Sequence, residues 1–206
     1  MENKVQFDTK TMDENVRDND SMTLDDNNEK EEWKIIYASQ NSKYSEEQFL
    51  DGKVKDEVYN IYTLTRKQAS LCGLITTTLG SAKETFIKVY RESVTPYAME
   101  IIMNYIIHHN GRQIKLTPAP IRFTDMNKLW EIPEDITLIN SIHEKGKKEN
   151  KYCDFLFDVM KGASYLDVIP LVHLISVYIA ASCKGKSTTE LDELLGPDPV
   201  EIKPDN

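Results

Sequence analysis

A small three-stranded sheet flanked by helices, an α/β arrangement of the α+β kind, follows from three features of this 206-residue chain. Residues 33–39 (WKIIYAS) and 58–64 (VYNIYTL) are short runs rich in β-branched and aromatic side chains, and residues 86–90 (FIKVY) repeat the pattern. All three strand signals lie in the first half. From residue 96 onward apolar residues recur at helical spacing, broken by one long polar stretch.

Taken in order, residues 1–32 carry 11 acidic and 4 basic side chains, a net of −7, with Val5, Phe7, Val16 and Leu24 isolated among them. They bury too little apolar area to offset ordering entropy and are expected to form a disordered acidic tail. The first two strands pair as a hairpin with an enlarged connection, residues 40–57, which contains Asp51-Gly52. Thr65 with Gln68 forms a capping box that opens a helix carrying Ala69, Leu71, Cys72, Leu74 and Ile75, and Gly80 ends it. After the third strand, Thr95-Pro96 supplies an N-cap and a first-turn proline for a helix over 96–109 with Met99, Ile102, Met103 and Ile106 on one face.

Residues 111–150 read as an irregular linker, because Pro118, Pro120, Pro133 and Gly146 punctuate them and Lys145, Lys147 and Lys148 form a basic knot. Trp130 and Ile132 are its expected anchors, and Glu131, Glu134 and Asp135 are expected to be solvated. Helical spacing returns at 151–166 with Phe155, Leu156, Val159 and Met160, and residues 168–183 (VIPLVHLISVYIAASC) form a helix apolar almost all round, hence central. Ser187 with Glu190 is a second capping box, opening a short helix over 188–195, and Gly196, Pro197 and Pro199 close it. The division is therefore a tail at 1–32, an N-terminal part at 33–110, the linker at 111–150, C-terminal helices at 151–196 and a tail at 197–206.

The formal net charge of −9 argues against a dedicated nucleic-acid binder, which needs a basic face. Most of that charge is local: the 174 residues after the tail carry 23 acids and 21 bases. Cys72, Cys153 and Cys183 are few, odd in number and far apart, the pattern of reduced thiols in cytoplasm or nucleus. The N-terminus shows no signal-peptide apolar stretch, and the run at 168–183 is too short to span a bilayer, so no membrane partner is expected.

Residues 180–187 (AASCKGKS) satisfy a loose phosphate-loop pattern, but they follow a helix rather than a strand and hold one glycine, so a helix–turn–helix junction explains them better. His108, His109, His143 and His173 with the three cysteines lack the paired spacing of a zinc site, and no cysteine has a nucleophile's local signature. No catalytic residue, metal ligand or cofactor is assigned.

Residues 156–195, LFDVMKGASYLDVIPLVHLISVYIAASCKGKSTTELDELL, resemble the C-terminal core of the Skp-type adaptors (S-phase kinase-associated protein one and relatives). There, a helix ending in a run like LxAANYLD leads into a longer helix, then a K-G-K-(S/T)-x-x-E junction and a short helix. Ala163-Ser164-Tyr165-Leu166-Asp167, the long apolar helix and the segment from Lys184 to Glu190 fall in that order. More weakly, the two strands, the helix after them and the helix ending in His108-His109 are similar too. Departures are Ser164 for the family's Asn, Gly162-Ala163 for Ala-Ala, a linker of mixed rather than acidic charge, an N-terminal extension, and residues 196–206 (GPDPVEIKPDN) in place of an acidic last helix with a Trp motif. The chain is similar to a divergent member.

The resemblance implies a BTB/POZ-type domain followed by helices that cradle an F-box, lacking the last helix of the family. It implies a non-catalytic adaptor that joins an F-box protein to a cullin in a ubiquitin ligase, with no cofactor. Ser164 and Tyr165 would face the cullin, although Tyr165 could equally plug the core with its hydroxyl at the rim. Val168, Ile169, Val172, Ile175, Leu191, Leu194 and Leu195 would face the F-box. The alternative is a Skp-type scaffold in another assembly, such as a kinetochore complex.

Overall fold

Alternation along the first strand, β1 (Glu32–Ala38), sends Trp33, Ile35 and Tyr37 to one face and Ile36 and Ala38 to the other, and all five are buried. A strand buried on both faces belongs in the middle of a sheet. β1 does lie between β2 (Asn60–Thr65) and β3 (Phe86–Tyr90) in the order β2-β1-β3. It pairs antiparallel with β2, Ile35 opposite Tyr62, and parallel with β3, Ile35 opposite Ile87 and Tyr37 opposite Val89. The computed structural model describes residues 32–42, 44–51, 60–80, 85–151 and 153–196. The tail expected at 1–32 loses Glu32, which opens β1. Residues 1–31, and the tail expected at 197–206 with the question of a last helix, lie outside the described residues.

One face of the sheet meets the main core through Trp33, Ile35, Tyr37, Leu64, Ile87 and Val89. The other is closed by α1 (Glu46–Leu50), a short helix inside the β1–β2 connection that packs Phe49 on Ile36 and Ala38. Its capping box, Ser45 with Gln48, repeats the start signal recognised elsewhere in the chain.

Among the described residues the helices continue as α2 (Arg66–Ala69), α3 (Gly73–Leu79), α4 (Pro96–His109), α5 (Pro133–Lys148), α6 (Asp154–Tyr165), α7 (Ile169–Cys183) and α8 (Thr188–Leu195). Thr65 caps α2 as anticipated, with Gln68 N–H donating to its hydroxyl at 3.2 Å. The single helix expected there is broken in two. Gly73 and Leu74 donate their N–H groups to Asp167 O (3.0 Å) and Leu166 O (3.2 Å), and the Cys72 thiol donates to Leu166 O at 3.0 Å. Hydrogen bonds to a remote turn replace those of a continuous helix. Thr95 caps α4 through Ala98 N–H, and Asn110 ends it in the left-handed region at φ 47°.

The linker expected at 111–150 is corrected in its second half, where α5 runs for 16 residues. Pro133 sits in its first turn, which needs no N–H from it, and Gly146 is buried. Glu134 and Asp135 at the start and Lys145, Lys147 and Lys148 at the end complement the helix dipole. The basic knot is a helix terminus. Ile136, Ile139 and Ile142 face the core at helical spacing. Asp135 is likewise not solvated: it is buried, accepting from Trp130 Nε1 (2.8 Å) and bonded to His109 Nε2 (2.8 Å). α6 packs on α4, α5 and α7, and α7 buries Leu171, Leu174, Ile175, Val177, Tyr178 and Ala181. The Lys184–Ser187 junction joins α7 to α8, with Gly185 at φ 75°. No described helix is long and apolar enough to cross a membrane.

Candidate partner-binding surface

The segment Ala163-Ser164-Tyr165-Leu166-Asp167 is a helix-ending device. α6 stops because Asp167 takes the left-handed conformation (φ 57°), which lets Val168 N–H reach Ala163 O (2.8 Å) and Asp167 N–H reach Ser164 O (3.2 Å). These are the two bonds of a Schellman turn, and Val168 and Ala163 supply the apolar contact that goes with it, both wholly buried. Fixing those two inward leaves Ser164 and Tyr165 outward. Tyr165 is 44% exposed, so it does not plug the core.

Tyr165 stands between two depressions. The larger, about 640 Å³, is lined by Glu92, Phe157, Met160, Lys161, Ser164 and Val172 beside it. The smaller, about 290 Å³, lies toward the sheet and includes Leu74, Phe86 and Lys88. Phe157 is exposed as well, and its spacing with Lys161 and Ser164 makes one stripe along α6. That stripe lies beside the core positions Leu156 and Val159, and its i, i+4, i+7 spacing was the signal available for Phe157.

Glu92 borders the groove from the β3–α4 turn. Its carboxylate accepts from the Ser39 hydroxyl at 2.6 Å and from Gln40 N–H at 3.1 Å, which holds its pKa below the usual carboxylate value, the Ser39 bond being the main cause. The groove therefore presents a fixed anion, a lysine and an apolar floor, which suits an amphipathic protein surface.

The residues expected to face an F-box divide. Ile169 is 51% exposed and Val172 half-buried, three residues apart on α7 and on the same face. Val168 and Ile175 are corrected: both are fully buried in the chain's own core, Val168 as the apolar clasp of the Schellman turn, and they offer no surface. Leu191, Leu194 and Leu195 are half-buried on α8, which has no fully buried residue, and they line neither depression.

One arrangement has the composition of a nucleophilic site but not its chemistry. Cys153 Sγ lies 4.0 Å from His143 Nε2, and His143 Nδ1 lies 2.6 Å from the Tyr178 hydroxyl. Burial pushes the Cys153 thiol up to about 11, its proton is directed at Leu194 O (3.2 Å), and burial holds His143 below the ordinary histidine value. A reactive cysteine needs a lowered pKa and access, and this one has neither. The three groups tie α5, α7 and α8 together. Among the described residues no three His, Cys, Asp or Glu side chains converge as metal ligands do.

No protein-family model matches the chain, and a search of curated proteins finds no significant relative.

Proposed function

We propose that the chain is a divergent Skp-type adaptor on a BTB/POZ-type domain, joining an F-box substrate receptor to a cullin in a ubiquitin ligase of cytoplasm and nucleus. The observation that carries this reading is the outward pair Ser164 and Tyr165 at the end of α6, beside a groove of about 640 Å³. They stand in the segment whose sequence resembles the family, and in the family that position meets the cullin. The α+β architecture with a three-stranded sheet is compatible with such a domain.

In this reading the chain does no chemistry and requires no cofactor. Its work is geometric: helices with a shared core hold two interfaces at a fixed separation. Exposed Tyr165 and Phe157 are the anchors on the cullin side, where burying one aromatic ring contributes about 2 kcal/mol. Ile169, with the half-buried leucines of α8, forms the F-box side, whereas Val172 lines the groove beside Tyr165 and falls to the cullin side.

The test is reconstitution of the full chain with an F-box protein and, separately, with a cullin N-terminal domain. Complexes with both are expected, and Tyr165→Lys is expected to weaken the cullin complex by about 10- to 100-fold. The melting temperature of that variant should fall by no more than about 2 °C, since a half-exposed residue is replaced. Binding to neither protein would sink the proposal. F-box binding without the cullin would move the chain to the scaffold of a non-ligase assembly.

A further inference from the structure

Residues 110–132 connect α4 to α5 with irregular backbone except for one 3₁₀ turn, Met126–Lys128. Long connections of this kind in a compact domain are commonly functional. This one is pinned. The Thr117 hydroxyl donates to Leu129 O (2.5 Å), His173 Nε2 meets Thr117 O (3.0 Å), and Lys184 Nζ donates to Ile121 O (3.2 Å) and Arg122 O (2.6 Å). Met126 and Trp130 anchor it in the core.

The pinned loop encloses a pocket of about 420 Å³ whose walls include Pro118, Pro120, Arg122, Phe123, Lys128 and Leu129. Phe123 is 51% exposed, the Lys128 ammonium sits 5.9 Å from the centre of its ring, and Arg122 is exposed. No residue lining the pocket is acidic. Two carboxylates lie equally near in sequence: Asp125 accepts from Asn127 N–H (3.0 Å) and Nδ2 (3.1 Å), and Glu131 is exposed two residues past Leu129. Two cations therefore flank an apolar cleft on a fixed backbone, a combination that selects an apolar side chain between carboxylates.

We propose that this pocket docks a short acidic segment of a partner protein, one apolar side chain entering against Phe123 and Leu129 while neighbouring carboxylates meet Arg122 and Lys128. Two cations match the charge of a few side chains, whereas a nucleic acid requires an extended basic stripe. The site shares no lining residue with the groove beside Tyr165, so it stands independently of the adaptor reading.

The test is fluorescence anisotropy on the full chain at low salt. The probe is a fluorescein-labelled peptide with one leucine flanked by glutamates, compared with its glutamine counterpart and a single-stranded oligonucleotide. Saturable binding of the glutamate peptide is expected, weakened about tenfold by Arg122→Glu/Lys128→Glu and by Phe123→Ala. Binding should also fall as NaCl rises to about 0.5 M, because the cations are exposed. The Arg122 side chain is not what holds Lys184, so these variants should keep their melting temperature; the milder Arg122→Gln/Lys128→Gln serves if they do not. Absent binding, equal binding of the glutamine peptide or the oligonucleotide, or insensitivity to the variants would overturn the proposal. So would carbodiimide crosslinks in the free chain from Lys128 to carboxylates within residues 1–31, or self-association abolished by the same variants, since each names a different occupant.

Discussion

At the scale of single residues, Asp135 is the side chain whose chemistry most constrains its neighbours. It is 2% exposed, and its two oxygens are used by Trp130 Nε1 and His109 Nε2, each at 2.8 Å. Trp130 Nε1 can only donate, so the oxygen facing it cannot be replaced by a donor. Asp135→Leu removes both acceptors and strands two buried polar groups, for an expected loss of about 3 kcal/mol in urea denaturation. Asp135→Asn keeps one acceptor for Trp130 and turns its amide toward His109, so it should recover at least half of that loss. A neutral Asp135→Leu would show that the network contributes specificity rather than stability. Such a role was hidden in the sequence because Asp135 and His109 are 26 residues apart and a carboxylate in a polar stretch reads as solvated.

At the scale of elements, locally encoded boundaries were legible and those set by remote contacts were not. Thr95-Pro96 and Ser187 with Glu190 are complete start signals, and α4 and α8 begin where these residues predict. α5 carried its own dipole-matched termini and isoleucine spacing, yet Pro133 and Gly146 masked them as punctuation. The break between α2 and α3 had no local signal, since its cause is the turn at Leu166 and Asp167. The surface divides in the same way. The motif singled out Tyr165 but left open whether it faced outward or plugged the core, and the burial of Val168 and Ile175 likewise depends on what packs over them. Gly73 marks the remote contact most directly: a Cβ there would lie 1.8 Å from Asp167 Oδ2 and 2.9 Å from Asp167 Cβ. The carboxylate can rotate away, but the Asp167 Cβ is fixed to a backbone already bonded to Gly73 N–H. Gly73→Ala should therefore cost about 2 kcal/mol in spite of alanine's better helix propensity. Equal midpoints for variant and parent would mean that the turn yields freely.

At the scale of the whole molecule, stability should depend on pH through His143, which is buried where α5, α7 and the start of α6 meet. Burial, aided by the Lys147 ammonium one turn away, holds its pKa below the ordinary 6.5, while Glu144 opposes weakly. The unfolded chain therefore binds a proton at a pH where the folded chain does not. Stability from this group is fully present above about pH 6.5 and is lost as pH falls through the folded-state pKa beneath it. His143→Phe leaves the Tyr178 hydroxyl without this partner and should lower stability at every pH. The diagnostic quantity is the slope rather than the level. Urea midpoints measured between about pH 7.5 and 5 should fall more steeply for the parent than for His143→Phe, and an NMR titration of the His143 ring should give a midpoint below 6.5. Groups common to both proteins contribute equally and cancel in the comparison. Parallel slopes would mean that the folded chain admits a proton at His143 as readily as the unfolded one, and that this junction opens to water without global unfolding.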